Sequence, residues 1–537
     1  MLDIRRVLAS APKKHTEETL NSLTTVWGEA LDTSNVLPEH PRPRMQRDNY
    51  VMLNGVWEYA IAPVDGEVDA ETLALQEIPS RWDGQIVVPF SPEAPLSGVG
   101  RTVRPYELLW YRRKIDLPEL VDDQRLILHF DAVDWMCACF VNGKLAGTHT
   151  GGYLPFSFDV TDLLGSAAAG ESATTGKAGV ATAAEVADAA ELVLCVWDPS
   201  DTGSQLRGKQ RLSRGDIWYT AQSGIWQSVW YEVVSAAHLE SLTLKGDMFG
   251  ALEVRANVQV SGLSDVQTGA FKLELTLKDE LGQDVLLARL PVSEAGEICE
   301  ELQVDKPQLW SPERPYLYFV EATLWRDGVA VDFVRSYCAF RTVEVKPDEA
   351  GVPRVHLNGA PYFVRGVLDQ GYWPDGLLTA PSDDALVYDI EAMKSAGFNT
   401  LRKQSRLKAS VGITTAIVLA CWFGRIVFRE VAHIVPGTRV RSRRCSALPG
   451  DDLTTQHQVI TRLYPQVTKA IARSGQKLVR KWSSSWKGIL RLDFGRSLTR
   501  VGDSLMLAQL LRLFAPWMQH VQSMQQVAGM IRAVAIF

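Results

Sequence analysis

Residues 129–164 read HFDAVDWMCACFVNGKLAGTHTGGYLPFSFDVTDLL. Inside this stretch MCACFVNGKLAGTH runs apolar up to Asn142-Gly143, a dipeptide suited to the tight turn of a β-hairpin, and then leaves it again. Cys137 and Cys139 stand two apart on the expected strand, so they share one face as core or half-buried thiols. Period-two patterning around such a turn predicts antiparallel β-structure, and the reading extends outward in both directions.

From 49 to 235 the chain keeps this texture in YELLWYRRKIDLP, RLILHFDAV and ELVLCVWDP, short β-rich runs separated by turn residues. An all-β sandwich is the expectation. Residues 165–190, rich in Ala, Gly and Thr, read as a surface loop insertion. A further hundred residues, 236–343, carry LESLTLKG, ALEVRANVQVSG, FKLELTLKDELGQDVLLARL and YLYFVEATLWRDG, which predicts a second sandwich of immunoglobulin type. PQLWSPERPYLY is a Pro-punctuated crossover within it.

At Val355 the pattern changes. HLNGAPYFVRGV reads as a hairpin feeding a buried strand. SDDALVYDIEAMKSAGF then places Ser382 as helix N-cap, acids in the first turn, Leu386, Ile390 and Met393 at helical spacing, and Gly397 just past the C-cap. NTLRK opens another strand. Strand, helix and strand begin a βα architecture.

The 537 residues suit several domains, and the mean composition excludes disordered, collagen-like and disulfide-framework classes. The charge is divided unevenly. Residues 1–403 hold 36 Lys and Arg against 58 Asp and Glu, whereas 404–537 hold 20 against 5. Seven cysteines with no CxxC spacing point to a reducing, cytoplasmic compartment. No apolar leader core stands at the N-terminus. The apolar run Val411–Gly424 is shorter than the roughly 20 residues of a membrane span.

Taken in order, WGEALDTSNVLPEHPRPRM from Trp27, LNGVWEYA from Leu53, WYRRKIDLP from Trp110, the stretch from His129, SGIWQSVWYE from Ser223, and LNGAPYFVRGVLDQGYWPDGLLTAPSDDALVYDIEAMKSAGFNTLRK from Leu357 resemble glycoside hydrolase family 2, which includes β-galactosidases and β-glucuronidases. The resemblance covers about 375 residues. It implies a multidomain, mainly β chain: an N-terminal arm (1–48), a jelly-roll sugar-binding sandwich (49–235), an immunoglobulin-like sandwich (236–343) and the first βαβ of an incomplete (β/α)₈ barrel (344–403). It also implies hydrolysis of O-glycosyl bonds of β-glycosides, with retention at the anomeric carbon. That chemistry needs two carboxyl groups about 5–5.5 Å apart, one as nucleophile and one as acid and then base.

Both family glutamates belong to later barrel strands, one of them after an Asn. Residues 404–537 contain no Asn and only Glu430, in a context that matches neither motif. Where the family branch continues His-Ile-Lys-Val-Glu and, two residues on, Arg-Trp-Tyr-Tyr-His-Cys-Asp-Arg-Leu-Gly-Met-Leu-Val-Trp-Gln-Asp, this chain has QSRLKASVGITTAIVLACWFGRI. Reading the third base of each codon with the first two of the next, from Ser410 to Ile426, permits all sixteen family residues in register. Loss of one C from AAG-CAC-ATC-AAG gives Lys-Gln-Ser-Arg, the residues at Lys403–Arg406. The expectation is a single-base shift after Lys403 and an out-of-frame tail, 404–537, that is irregular or spuriously helical. The chain is therefore expected to be inactive, and the region after about Val343 to be disordered or aggregation-prone because a βαβ fragment cannot close a barrel and leaves its edges unpaired. The alternative is a carbohydrate-binding two-sandwich protein without catalysis.

Six residues are substrate-binding candidates. Asp198 and Arg207 lie in WDPSDTGSQLRGKQ, a loop that the family's sugar-binding domain lends to the active site. Asp198 reads equally as an Asp-Pro turn former, and Arg207 also as a solvated loop arginine. Asp369, Gln370 and Trp373 follow the first barrel strand, whose C-terminal end faces the active site in this fold. Trp373 reads either as a sugar-stacking ring or as a packed tryptophan. Arg402 matches a family arginine that keeps the nucleophile ionised. His149 reads as satisfying a sandwich loop. Mg²⁺ or Na⁺ is allowed by the resemblance, although no metal-ligand constellation stands out. The expected partner is a β-glycoside or oligosaccharide, with neither nucleic acid nor membrane. The family also implies dimers or tetramers.

Overall fold

A computed structural model describes residues 23–121, 123–164, 189–203, 205–261, 271–404 and 422–426. Its first sandwich packs two antiparallel sheets. One has four strands in the order Tyr50–Met52, Val229–Ser235, Gln124–Phe130 and Phe156–Asp159. The other has six: Gly84–Val88, Gly55–Pro63, Glu107–Asp116, Ala189–Trp197, Met136–Val141 and Lys144–Thr150. The hairpin read from sequence is present. Val141 pairs with Lys144 across Asn142 (φ 50°) and Gly143 (φ 75°), the left-handed pair that a type I′ turn requires.

Alternation decides which faces meet. Trp57, Leu109, Tyr111, Leu128, Phe130, Leu192, Leu194 and Val229 fill the space between the sheets, together with Cys137 and Cys139 on one strand face. His149 lies on the neighbouring strand, donates from Nε2 to the Gly151 carbonyl (3.1 Å) and stacks on Phe156. The expected insertion falls outside the described residues, except that Ala189 and Ala190 already belong to a strand.

The second sandwich opposes a three-stranded sheet (Ala237–Gly246, Ala251–Val260, Glu297–Gln303) to a four-stranded one (Asp284–Pro291, Phe271–Lys278, Tyr318–Arg326, Val329–Cys338). Phe271, Leu273, Leu324 and Val334 are buried in its centre. The strands alternate cleanly: Phe271–Lys278 and Tyr318–Arg326 bury every second residue.

After a small sheet (Val343–Pro347, Pro353–Leu357, Ala360–Pro361) come Gly366–Asp369, the helix Asp383–Ser395 and Thr400–Gln404. The two strands are parallel. The helix starts where the sequence predicts: Ser382 Oγ accepts from Ala385 N (3.1 Å). It ends at Gly397 (φ 91°), whose N–H returns to the Lys394 carbonyl. Leu386 and Ile390 are buried and Met393 half-buried.

Two expectations need correction. Order does not end at Val343, because the segment after the first barrel strand is clamped to the first sandwich. Thr379 Oγ1 donates to the Trp226 carbonyl (2.7 Å), Leu378 N to Gln222 Oε1 (3.0 Å) and Leu96 N to the Asp375 carbonyl (3.1 Å). Nor is the tail wholly irregular or helical. Trp422–Ile426 forms a third parallel strand beside Thr400–Gln404, because the open edge of a strand offers unpaired backbone groups to any extended apolar segment. The rest of the expected out-of-frame tail lies outside the described residues.

The N-terminal arm ties the parts together. Thr25 donates from its N and Oγ1 to the buried Asp375 (2.8 and 2.7 Å), and Trp27 packs on Trp373 and Tyr388. Further on, Arg47 bonds Glu232 of the first sandwich and both carboxylate oxygens of Asp332 of the second. Among the described residues no helix is long and apolar enough to cross a membrane.

Candidate functional site

The site region lies where loop 199–221 of the first sandwich meets the C-terminal end of strand Gly366–Asp369. Tyr219 and Tyr372 stack there, with ring centroids 3.7 Å apart and planes at 12°. Tyr153 and Tyr372 pack in turn around Trp226 and Leu378. The loop is held at its base by short pairings, Gln210–Arg211 against Tyr219–Thr220.

Asp198 ends strand Ala189–Trp197 and is 4% exposed. Both its oxygens are occupied: Oδ1 accepts from Ser200 N (2.7 Å) and Oδ2 from Ser223 Oγ (2.8 Å). Burial pushes its carboxyl up to about 6, against the opposing pull of those two donors. This geometry organises the loop from below. Arg207 is half-buried; one terminal nitrogen donates to the Gly203 carbonyl (2.9 Å) and its buried Nε meets no acceptor among the described residues.

Asp369 and Gln370 are half-buried at the strand end. Arg402, on the adjacent strand, is half-buried with a buried Nε that bonds no described residue. Register sets Leu368 opposite Arg402 and Asp369 opposite Lys403, so Asp369 and Arg402 fall on opposite faces of the sheet. Trp373 is 8% exposed and meets Trp27 edge-on at 6.1 Å, in a cluster with Ala380, Ala385 and Leu386. Its surroundings are those of a packing residue. Tyr372, two residues after Gln370, stacks on Tyr219 of the loop that bears Arg207, while Trp373 turns to the arm.

Beneath the loop Asp198 belongs to a buried carboxyl cluster whose other members, Glu93 and Asp134, are not sequence candidates. Glu93 is 1% exposed and accepts from Val103 N (3.0 Å) and Ser223 N (3.1 Å). Burial pushes it up to about 8. Asp134 accepts from Gln210 Nε2 (3.4 Å); burial first, and the charge of Asp198 next, raise it well above the usual carboxylate range. Glu93 sits in SPEAPLSG, which carries no periodic signal; only its placement against Ser223, far along the chain, marks it. Among the described residues no group of three or more His, Cys, Asp or Glu is arranged to hold a metal ion.

Comparison with known proteins matches the two sandwiches. The family model Glycosyl hydrolases family 2, sugar binding domain, matches residues 51–177, and Glycosyl hydrolases family 2 matches 237–341. A β-galactosidase of Thermoanaerobacter pseudethanolicus is 24% identical over 260 residues, 48% of this chain and 31% of that protein. A putative β-glucuronidase of Formosa agariphila is 24% identical over 293 residues, 55% of this chain and 31% of that protein. The chain spans about a third of the length of these curated relatives. The structure of Bifidobacterium dentium β-glucuronidase complexed with coumarin-3-O-glucuronide superposes with a TM-score of 0.54 at 19% identity, covering 71% of this chain and 62% of that one. At that identity the likeness is one of fold.

Proposed function

We propose, on the premise that the two sandwiches of this chain belong to glycoside hydrolase family 2, that the chain binds β-glycosides where loop 199–221 meets the first barrel strand, and does not hydrolyse them. The observation that carries this reading is the Tyr219–Tyr372 stack, which sets a loop of the sugar-binding sandwich beside the C-terminal end of a barrel strand. Side chains at that end of a parallel barrel face the substrate.

In this reading Asp369 and Gln370 hydrogen-bond sugar hydroxyls, and Asp198 shapes the loop that carries Arg207. Trp373 supports the mouth from the arm side. Arg402, whose buried Nε bonds no described residue, is the residue set to face a carboxylate. Retaining hydrolysis needs two carboxyl groups about 5–5.5 Å apart, and neither family glutamate stands at a matching position in the sequence. The gene line is that of a retaining exo-β-glycosidase; this chain retains the sugar-recognition part. Five free thiols among the described cysteines, four of them buried, support a reducing, cytoplasmic setting.

The test uses the purified full chain. Nitrophenyl β-D-galactoside and β-D-glucuronide should give no turnover, while calorimetric titration with galactose or glucuronate should give a binding isotherm. Turnover overturns the non-catalytic half of the proposal, and a flat titration with both sugars overturns the binding half. Restoring one base after the Lys403 codon should bring hydrolysis.

A further inference from the structure

Glu93, Asp134 and Asp198 are all buried beneath loop 199–221. Ser223 joins two of them, its N–H donating to Glu93 Oε2 (3.1 Å) and its Oγ to Asp198 Oδ2 (2.8 Å). The third, Asp134, pairs with Gly224, the next residue along. The remaining donors to the cluster are Val103 N, Ser200 N and the Gln210 amide; no arginine, lysine or histidine among the described residues bonds any of the three. Nor is there room for a counter-ion beside Asp134, since even a Cβ on Gly152 would clash with its carboxylate.

The same groups hold the loop along its length. Asp198 Oδ1 accepts from Ser200 N (2.7 Å) where the loop begins. Midway, Gln210 Nε2 donates to Asp134 Oδ2 (3.4 Å) and to the Tyr153 hydroxyl (3.1 Å), while its Oε1 accepts from Gln222 N (2.7 Å). At the far end Gln222 Oε1 accepts from Ser91 Oγ (3.1 Å) and from Leu378 N (3.0 Å) of the barrel segment.

Buried carboxylates without counter-charge cannot all stay ionised, so the cluster must hold protons. Burial raises all three groups, and the charge of Asp198 adds to the rise at Asp134. The other titratable groups that face the cluster bring no positive charge. Tyr111 stays neutral, its hydroxyl held above the ordinary range by burial, and Asp201 adds a further acid at the start of the loop. Of the arginines in the packed segments, Arg101 is engaged with Glu107, Arg207 with the Gly203 carbonyl and Arg211 with the Trp218 ring.

We infer that Glu93, Asp134 and Asp198 form a proton-held clasp: with protons bound they fasten loop 199–221 to the first sandwich and the barrel segment, and loss of those protons frees the loop. Groups raised by burial favour the closed form below their exposed values and lose that effect as pH rises through their buried ones. The clasp is therefore tightest in mild acid and loosens toward about pH 8, the value to which burial raises Glu93. Through Tyr219 the same loop borders the proposed sugar mouth, but the clasp does not depend on that reading.

The test is amide hydrogen exchange on the full chain without sugar, expressed as protection factors so that the intrinsic pH dependence divides out. Protection of 199–221 should fall about tenfold or more from pH 6 to pH 8, as expected when opening releases at least one proton. Strand Tyr318–Arg326 of the second sandwich, which holds no member of the cluster, should change less. Asp134→Asn keeps an acceptor for Gln210 and removes one ionisation; it should flatten the fall in 199–221, as should Glu93→Gln. Equal losses in the loop and the control strand overturn the inference, and so does a wild-type slope in both variants. If neither variant folds, the wild-type comparison of loop and control strand decides alone. A flat sugar titration bears on the proposed β-glycoside site and leaves the clasp untouched.

Discussion

Tyr219 of the first sandwich and Tyr372 of the barrel segment stack face to face, 3.7 Å between ring centroids. The contact joins a loop of the first sandwich to the C-terminal end of strand Gly366–Asp369. Aromatic pairs of this kind contribute about 0.5–1.5 kcal/mol beyond their buried area. Replacing either ring by Leu should therefore cost about 1 kcal/mol of stability and weaken sugar binding, with the double variant costing little more than a single one. A double-mutant cycle on urea denaturation and titration reads this; fully additive losses would show that the rings act separately.

Arg47 is expected to be the most damaging single loss in the arm. It is buried and bonds Glu232, Asp332 and the Leu239 carbonyl. Against the raising effect of burial, the hydrogen bond to His129 and then the charge of Arg47 hold Glu232 well below the usual carboxylate range. Arg47→Ala removes the counter-charge of two buried carboxylates, a cost of about 3–5 kcal/mol. Chemical denaturation should show this, together with earlier unfolding of one sandwich relative to the other.

Gly28 sits against Asp375. A Cβ there would clash with Asp375 Oδ2, and that carboxylate is fully buried and already bonded to Thr25 and Gly376. Gly28→Ala should cost about 1–3 kcal/mol by overpacking and raise hydrogen exchange in 23–30 and 372–380. Exchange confined to 23–30 would mean that the arm alone yields.

The carboxyl cluster gives stability a defined pH dependence. Glu93 has a folded value of about 8 against an ordinary 4.5, with burial as the main cause. A group raised on folding contributes its full stability below its unfolded value and loses it as pH rises through the folded one. Melting temperature should fall between about pH 5 and 8, and Glu93→Gln should flatten that fall. It should not abolish it, since burial also raises Asp134 and Asp198. An unchanged slope in Glu93→Gln would assign the effect elsewhere.

The local parts of this fold were legible because local physics specifies them. Asn142-Gly143 turned as read, Ser382 capped its helix, and Cys137 and Cys139 entered the core by alternation. The site was legible only in outline. Asp369 and Gln370 could be placed at a strand end, but the register that separates Asp369 from Arg402, and the packing of Trp373 on Trp27, depend on partners the local pattern does not name.

The sequence by itself determined the elements, their order and their likeness to glycoside hydrolase family 2. Period and turn chemistry act over a few residues and survive without a fold. Only the tertiary structure decided that the arm would bridge both sandwiches through Arg47, that Glu93, Asp134 and Asp198 would be buried together, and that residues 372–380 would lie on the first sandwich instead of losing order. Those contacts join residues far apart in the chain. They arise where two surfaces exclude water together, which no single stretch of sequence encodes.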